Sequence, residues 1–238
     1  MDFDFDKIKF LLLSYPRSGN TWTRYIFEAI SKRSSIGYSV GHPADRAIGS
    51  RLRLDVDFDQ PAILKKSHCL NQQERKSDKS LILIIRNYKE AITRHLTDDR
   101  VPAIKNPVER FKLHLTGNDA FDHIDYIYPI IAFDNWKHNK HLIYYEDLIA
   151  HPQRTIHDLS NFCGFSTEDT DFFLANLKKH RESGCKIYSA KSYTKGKKTK
   201  FHLHRISKTN RKLIDQHIKD NFSDIFNKYL KQYAENTD

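Results

Sequence analysis

Cysteine, glycine and proline are scarce in this chain: its 238 residues include 3 Cys, 8 Gly and 7 Pro. Three cysteines, Cys69, Cys163 and Cys185, form no metal-ligand spacing and are an odd number, so a reducing compartment is more natural than a disulfide framework. So little Gly and Pro also excludes a collagen-like chain or wholesale disorder. Long hydrophobic runs are missing as well, and the first apolar run, residues 10–13, is far too short to span a membrane. Residues 1–6 read Met-Asp-Phe-Asp-Phe-Asp, acidic where a secretory signal would be basic. A cytoplasmic protein without membrane insertion is expected. Acidic residues are in deficit overall, 30 against 40 Lys and Arg, for a formal net charge of +10 with histidines neutral. Such an excess favours an anionic partner by long-range attraction without identifying the anion.

The composition that remains is that of a globular protein. Hydrophobic residues make up 39% and charged residues 29%, with 15 Phe and 12 Tyr among them. The length suits one domain over residues 1–238, large enough for a sizeable core, and no repeat at solenoid or propeller periods appears. Residues 8–14 form a short apolar run ending near Pro16 and Gly19, and residues 21–30 carry Trp22, Tyr25, Ile26, Ala29 and Ile30 at helical spacing. A buried strand, a tight loop and a helix follow from that pattern. Residues 62–65, 81–85 and 141–145 are further strand-like runs, two of them entering helices after Asn87 and Asp147. The alternation predicts an α/β fold with a parallel sheet. Residues 37–60 and 98–122 lack clear periodicity and read as long loops, and residues 208–233 predict one or two closing helices. A lysine-rich stretch, with Lys195, Lys197, Lys198 and Lys200 around Gly196, reads by itself as a solvated loop.

The strongest local signal is Tyr15-Pro16-Arg17-Ser18-Gly19-Asn20-Thr21-Trp22, because it joins a buried strand to a helix. That junction aims unpaired backbone N–H groups and the positive end of the helix dipole at one point, a ready site for phosphate. Arg17 adds a permanent charge, Ser18 and Thr21 add hydroxyls, and Gly19 permits close backbone approach. The segment is not a Walker A loop, since it lacks that motif's first glycine and its lysine. An ordinary strand-to-helix turn with a serine cap would share several of these features. The spacings of His138 with His141 and of His202 with His204 bring no Cys or carboxylate cluster with them, so both pairs read as surface histidines. Cys69, beside His68, reads as a small buried side chain.

The octapeptide resembles the loop that holds the 5′-phosphosulfate in sulfotransferases that use 3′-phosphoadenosine 5′-phosphosulfate (PAPS). Four more stretches follow in that family's order. Lys66-Ser67-His68 resembles the Lys-Thr-His that carries the catalytic base, and Arg86-Asn87-Tyr88-Lys89-Glu90-Ala91 resembles the element gripping the 3′-phosphate. Tyr144-Tyr145-Glu146-Asp147-Leu148 with His151-Pro152 resembles the family's Tyr-Glu-Asp-Leu strand end, and Lys195-Gly196-Lys197 its C-terminal Arg-Lys-Gly loop. The likeness covers roughly residues 8–207.

This resemblance implies a single-domain, P-loop NTPase-like fold with a central parallel sheet flanked by helices. It also implies that Arg17, Ser18, Gly19, Asn20 and Thr21 cradle the 5′-phosphosulfate, that Trp22 stacks on adenine and that Tyr145 lies near its edge. Arg86 would hold the 3′-phosphate, with Lys195 and Gly196 closing over it. The family usually has a serine eight residues after this arginine, where the chain has Arg94 beside Thr93, so either residue is a candidate for its task. Thr194 stands where the C-terminal loop's arginine is expected, and the family's dimerisation signature is not recognisable, which leaves the oligomeric state open.

Sulfuryl transfer needs a base for the acceptor proton, in-line placement and cations for the leaving phosphate. His68 fits the first task, since an imidazole titrates near neutrality, while Arg17 and Lys66 would supply charge at the phosphate and sulfuryl oxygens. The scheme calls for PAPS as donor and 3′-phosphoadenosine 5′-phosphate (PAP) as product, without a metal. The acceptor would meet the two long loops, whose Arg46, Arg51, Arg53, Asp55, Asp57, Asp98 and Asp99 suit a carbohydrate or small polar natural product. A nucleotide kinase or NTPase is the rival reading, disfavoured by the missing Walker lysine. A non-enzymatic polyanion or nucleic-acid binder is the third, disfavoured by the localised phosphate loops.

Overall fold

In the computed structural model, the described residues are 4–37, 54–96, 107–116, 125–187 and 206–235. Five strands run parallel in the order β2-β3-β1-β4-β5, with β1 at Phe10–Ser14, β2 at Ser35–Ile36, β3 at Leu64–Ser67, β4 at Ser80–Ile85 and β5 at Lys140–Tyr144. Every residue of β1 is buried, as expected for a central parallel strand covered on both faces. Side chains alternate between the two faces along each strand. Leu11, Leu13, Leu81, Leu83 and Ile85 enter one apolar cluster, and Phe10, Leu12, Ile82 and Ile84 enter the other.

Helices cover both faces. The second cluster is closed by α1 (Asn20–Ser31), through Ile26, Phe27 and Ile30, and by residues of two later helices, α6 (Tyr145–Ala150) and α7 (Pro152–Cys163). Its outer wall continues into α8 (Thr167–Ala175) and α9 (Leu177–Ile187). A short α2 (Gln72–Arg75) follows β3. On the other face lie α3 (Tyr88–Leu96), α4 (Pro107–Thr116), α5 (Ile127–Asp134) and α10 (Lys208–Asn221), contributing among others Ile92, Phe111, Ile130 and Ile218. The chain then closes with short helical turns over residues 223–233, one of them a π-turn at Phe226–Leu230.

The α/β architecture with a central parallel sheet is the expected one, and its details differ from the sequence reading in several places, one of them β3, which runs over Leu64–Ser67 rather than 62–65. Residues 98–122 are not a continuous loop, because α4 occupies 107–116 and buries Phe111, His114 and Leu115. A histidine in the buried stripe masks that helix's periodicity. Tyr145 does not end β5 but opens α6, so this helix starts two residues before Asp147. The two-residue strand β2 lies just ahead of the segment read as a loop.

From β1 the chain builds one side of the sheet through β2 and β3, then returns to place β4 on the other side of β1. The carboxyl end of β1 is therefore the topological switch point, where open α/β sheets bind ligands. Among the described residues, no helix is long and apolar enough to cross a membrane.

Candidate active site

The loop after β1 spans this switch point. It turns through Arg17 at φ 64° and Gly19 at φ 99°, both left-handed, with Ser18 N–H donating to the Tyr15 carbonyl at 3.3 Å. A left-handed arginine is an outlier of the kind that accumulates at ligand-holding loops. Gly19 is required twice over. Its φ disfavours a side chain, and a Cβ there would come 2.3 Å from Tyr145 Cδ2. Gly19 is also the N-cap of α1 and supplies no side-chain cap, so the first-turn N–H groups face the loop unserved by any capping side chain. Ser18 is fully buried, and its hydroxyl has no hydrogen-bond partner. Asn20 Nδ2 donates to Ser14 Oγ at 3.2 Å, and Thr21 Oγ1 donates to Asn20 Oδ1 at 3.3 Å, which ties the helix start to the strand end.

Arg86, directly after β4, reaches the same loop. Only 4% exposed, it donates from Nη1 to the Arg17 carbonyl at 2.9 Å, and its guanidinium lies 4.4 Å from the centre of the Tyr145 ring. Tyr145 thus fills the space between Gly19 and Arg86. Glu90, one turn on, takes Arg86 Nη2 at 3.5 Å and Arg94 Nε at 2.7 Å, so two guanidiniums share one buried carboxylate. Arg86 Nε is buried with no hydrogen-bond partner. Burial, and after it the Arg94 charge, push the Arg86 pKa down, while Glu90 and Glu146 act in the opposite sense. Neighbouring Thr93 is spent differently: it is buried, and its hydroxyl donates to the Lys89 carbonyl at 2.5 Å within α3.

Across β1 from Arg86, β3 ends at Ser67 and delivers His68. His68 Nδ1 lies 2.5 Å from the Ser14 carbonyl oxygen. A carbonyl only accepts, so Nδ1 carries the proton and Nε2 holds the basic lone pair. Lys66, two residues earlier, is half-buried on the strand. Ser67 Oγ donates to the Cys69 carbonyl at 2.6 Å and shapes the turn that follows the histidine.

The structure therefore gathers Arg17, Ser18, Gly19, Asn20, Thr21, Arg86, Arg94 and Tyr145 around one loop, with His68 anchored to the strand beneath it. Trp22 is half-buried and stacks on Tyr25, with ring centres 5.1 Å apart and planes at 17°. Tyr25 in turn meets His180 Nδ1 through its hydroxyl at 2.9 Å. Lys195 and Gly196 lie outside the described residues, as do Arg46, Arg51, Arg53, Asp98, Asp99, His202 and His204. The Asp57 backbone pairs with that of Arg33, and its carboxylate accepts from Gln60 Nε2 at 2.8 Å and from Asp59 N–H at 3.0 Å, so the carboxylate serves a local turn. His141 is not a surface histidine: it packs on Phe162 at 5.0 Å, and burial pushes its pKa down. Cys69 is half-buried rather than buried. Among the described residues no three His, Cys, Asp or Glu side chains gather as a metal site. Two contributors carried no signal of their own in the sequence: Tyr126 and Tyr233. The hydroxyl of Tyr126 donates to the Arg86 carbonyl, and that of Tyr233 donates to Glu146.

Against known proteins, the sulfotransferase domain matches residues 7–235. A mouse sulfotransferase complexed with PAP has a similar structure, with a TM-score of 0.62, 17% sequence identity, and coverage of 93% of this chain and 87% of that one. A retinol dehydratase in complex with androsterone and the inactive cofactor PAP is similar at a TM-score of 0.59 and 16% identity, over 90% of this chain and 80% of that one. At these identities the likeness concerns the fold, which is the P-loop NTPase-like architecture expected from the motifs.

Proposed function

The chain belongs to the sulfotransferase family, and from that premise we propose that it moves a sulfuryl group from PAPS to a hydroxyl or amine of a polar acceptor. The observation that carries this reading is the pair of buried, unpartnered polar atoms beside the left-handed loop, Ser18 Oγ and Arg86 Nε, next to an uncapped helix N-terminus. Buried polar groups are normally satisfied, and an anionic ligand at this point would satisfy both. The residues present fit such a donor. Arg17, Ser18, Gly19, Asn20 and Thr21 would hold its 5′ end, Arg86 and Arg94 its 3′-phosphate, and Trp22, backed by Tyr25, its adenine, with Lys195 and Gly196 as further contacts.

PAPS when bound supplies the sulfuryl group and a phosphate that leaves with the bonding electrons. His68 Nε2 takes the acceptor proton as the new bond forms, because Ser14 fixes the tautomer. Arg17, at the exposed tip of the loop, and the uncapped N–H groups of α1 hold negative charge at the phosphate. Lys66 serves the sulfuryl oxygens. The charged composition of residues 37–60 and 98–122 supports a carbohydrate or small natural product as acceptor, and the odd number of cysteines without metal-ligand spacing supports a cytoplasmic setting.

Between the two candidates for the serine's place, the geometry favours Arg94. Alanine there is expected to raise the Kd for PAP about five- to tenfold, the size of one charge-assisted contact at a partly exposed site. Thr93→Val should change it less than about twofold, since that hydroxyl serves its own helix. The opposite ranking by titration calorimetry would return the role to Thr93.

The function itself is tested by calorimetric titration of the wild-type protein with PAP beside ADP, ATP and adenosine 5′-phosphosulfate, without added metal. Binding that requires the 3′-phosphate supports the donor assignment. A preference for ATP with Mg²⁺ would overturn it in favour of phosphoryl transfer.

A further inference from the structure

One face of α3 carries ionisable groups that the transfer reaction does not use. Lys89 is completely buried, yet its ammonium donates to Asp215 Oδ1 and Oδ2 at 2.9 and 3.2 Å, donates to the Tyr233 carbonyl at 2.6 Å, and pairs with Glu235 Oε1 at 3.4 Å. Asp215, on α10, also accepts from the Tyr88 hydroxyl and from Glu235 N–H, the latter at 2.7 Å. Burying such a cluster is costly, and it is seldom the cheapest way to hold two helices together. What it holds here is the main chain of residues 233–235.

Captured in this way, Tyr233 sends its hydroxyl to Glu146 Oε2 at 2.7 Å, and Glu146 Oε1 accepts from Asn87 N–H at 3.0 Å. Asn87 N–H and the Arg86 carbonyl belong to one peptide plane. The carbonyl side of that plane accepts from the buried Tyr126 hydroxyl. β4 ends at Ile85, so no strand ladder fixes this peptide. Tyr126 at α5's entry and Glu146 of α6 do so instead, with Glu146 held in turn by Tyr233 of the C-terminal segment. The plane's orientation sets the direction in which the Arg86 side chain leaves the backbone, toward the Arg17 carbonyl and the Tyr145 ring.

We infer that residues 233–235 act as an internal strut for the donor site, with Tyr233 a positioning residue that acts on PAP through Glu146, the Arg86–Asn87 peptide and the Arg86 guanidinium. The inference rests on the donor reading above. Tyr233→Phe removes a single hydroxyl and keeps the ring. It is expected to raise the Kd for PAP about three- to tenfold, the net worth of one ordinary hydrogen bond, because its effect reaches PAP only through Glu146, the peptide and Arg86. Calorimetry reads the active fraction separately as the stoichiometry, which should stay at the wild-type value. In an Arg86→Gln background the same substitution should change the Kd less than twofold, because the residue through which it acts is already gone. An unchanged Kd with lowered stoichiometry would show a structural role only. An equal loss in both backgrounds would show that Tyr233 acts by another route. Either result overturns the strut. Wild-type protein that does not bind PAP at all would instead overturn the donor reading.

Discussion

Replacing His68 with alanine is expected to lower turnover about 10²- to 10⁴-fold, the usual worth of a positioned general base, while the Kd for PAP stays within about twofold. The split follows from the geometry. The ring is tied by Nδ1 to the Ser14 carbonyl at the end of β1, whereas the backbone turn through Arg17 and Gly19, the buried Ser18 and Arg86 are the groups assigned to the anion, so its removal keeps those groups in the chain. It takes away the nitrogen whose lone pair the hydrogen bond has exposed for proton transfer. Initial rates with radiolabelled PAPS and saturating acceptor, beside calorimetry with PAP, measure the two quantities independently. Near-normal turnover would remove His68 from the mechanism and point to a carboxylate as base. A large loss of PAP affinity would mean that His68 is part of the donor pocket rather than the base.

The parts of this site that were legible in the sequence are the local ones. A serine, a glycine and an arginine between an apolar run and a helical stripe are enough to predict a phosphate-holding turn, because strand, turn and helix N-terminus are all specified within fifteen residues or so. The strands were legible as apolar runs, but their ends were not, since pairing sets them. Strand β3 runs through Lys65 and Lys66 to Ser67 because these residues pair with Leu11, Leu12 and Leu13 of β1, and only that register puts His68 at the carboxyl end of the sheet, beside the end of β1. Helix α4 was hidden because its buried stripe includes His114, and His141 was misread because nothing local announces that Phe162 will stack on it. The peptide clamp was out of reach altogether. Tyr126 and Glu146 meet the Arg86–Asn87 peptide from 40 and 59 residues away, Tyr233 meets Glu146 from 87 residues further on, and a tyrosine hydroxyl leaves no periodic trace of its partner.

Arg86 is where the local and the long-range contributions converge, and Arg86→Gln carries the second large expectation. Its guanidinium is assigned to the 3′-phosphate, yet in the structure it already donates to the carbonyl of left-handed Arg17 at 2.9 Å. One side chain would then serve both ends of the donor. The Kd for PAP should rise about 10- to 150-fold, as expected for losing a charge-assisted contact in a buried site. The Kd for adenosine 5′-phosphosulfate, which has no 3′-phosphate, should rise too, by about two- to tenfold, because the loop loses the hydrogen bond that helps hold Arg17 in its unfavourable conformation. Paired calorimetric titrations with the two nucleotides separate the contributions. A loss confined to PAP would reduce Arg86 to a 3′-phosphate ligand and leave the loop's conformation to Gly19 and Tyr145. An unchanged Kd for PAP would place the 3′-phosphate elsewhere. Loss on both, larger for PAP, is what a guanidinium shared between a bound anion and the loop backbone demands.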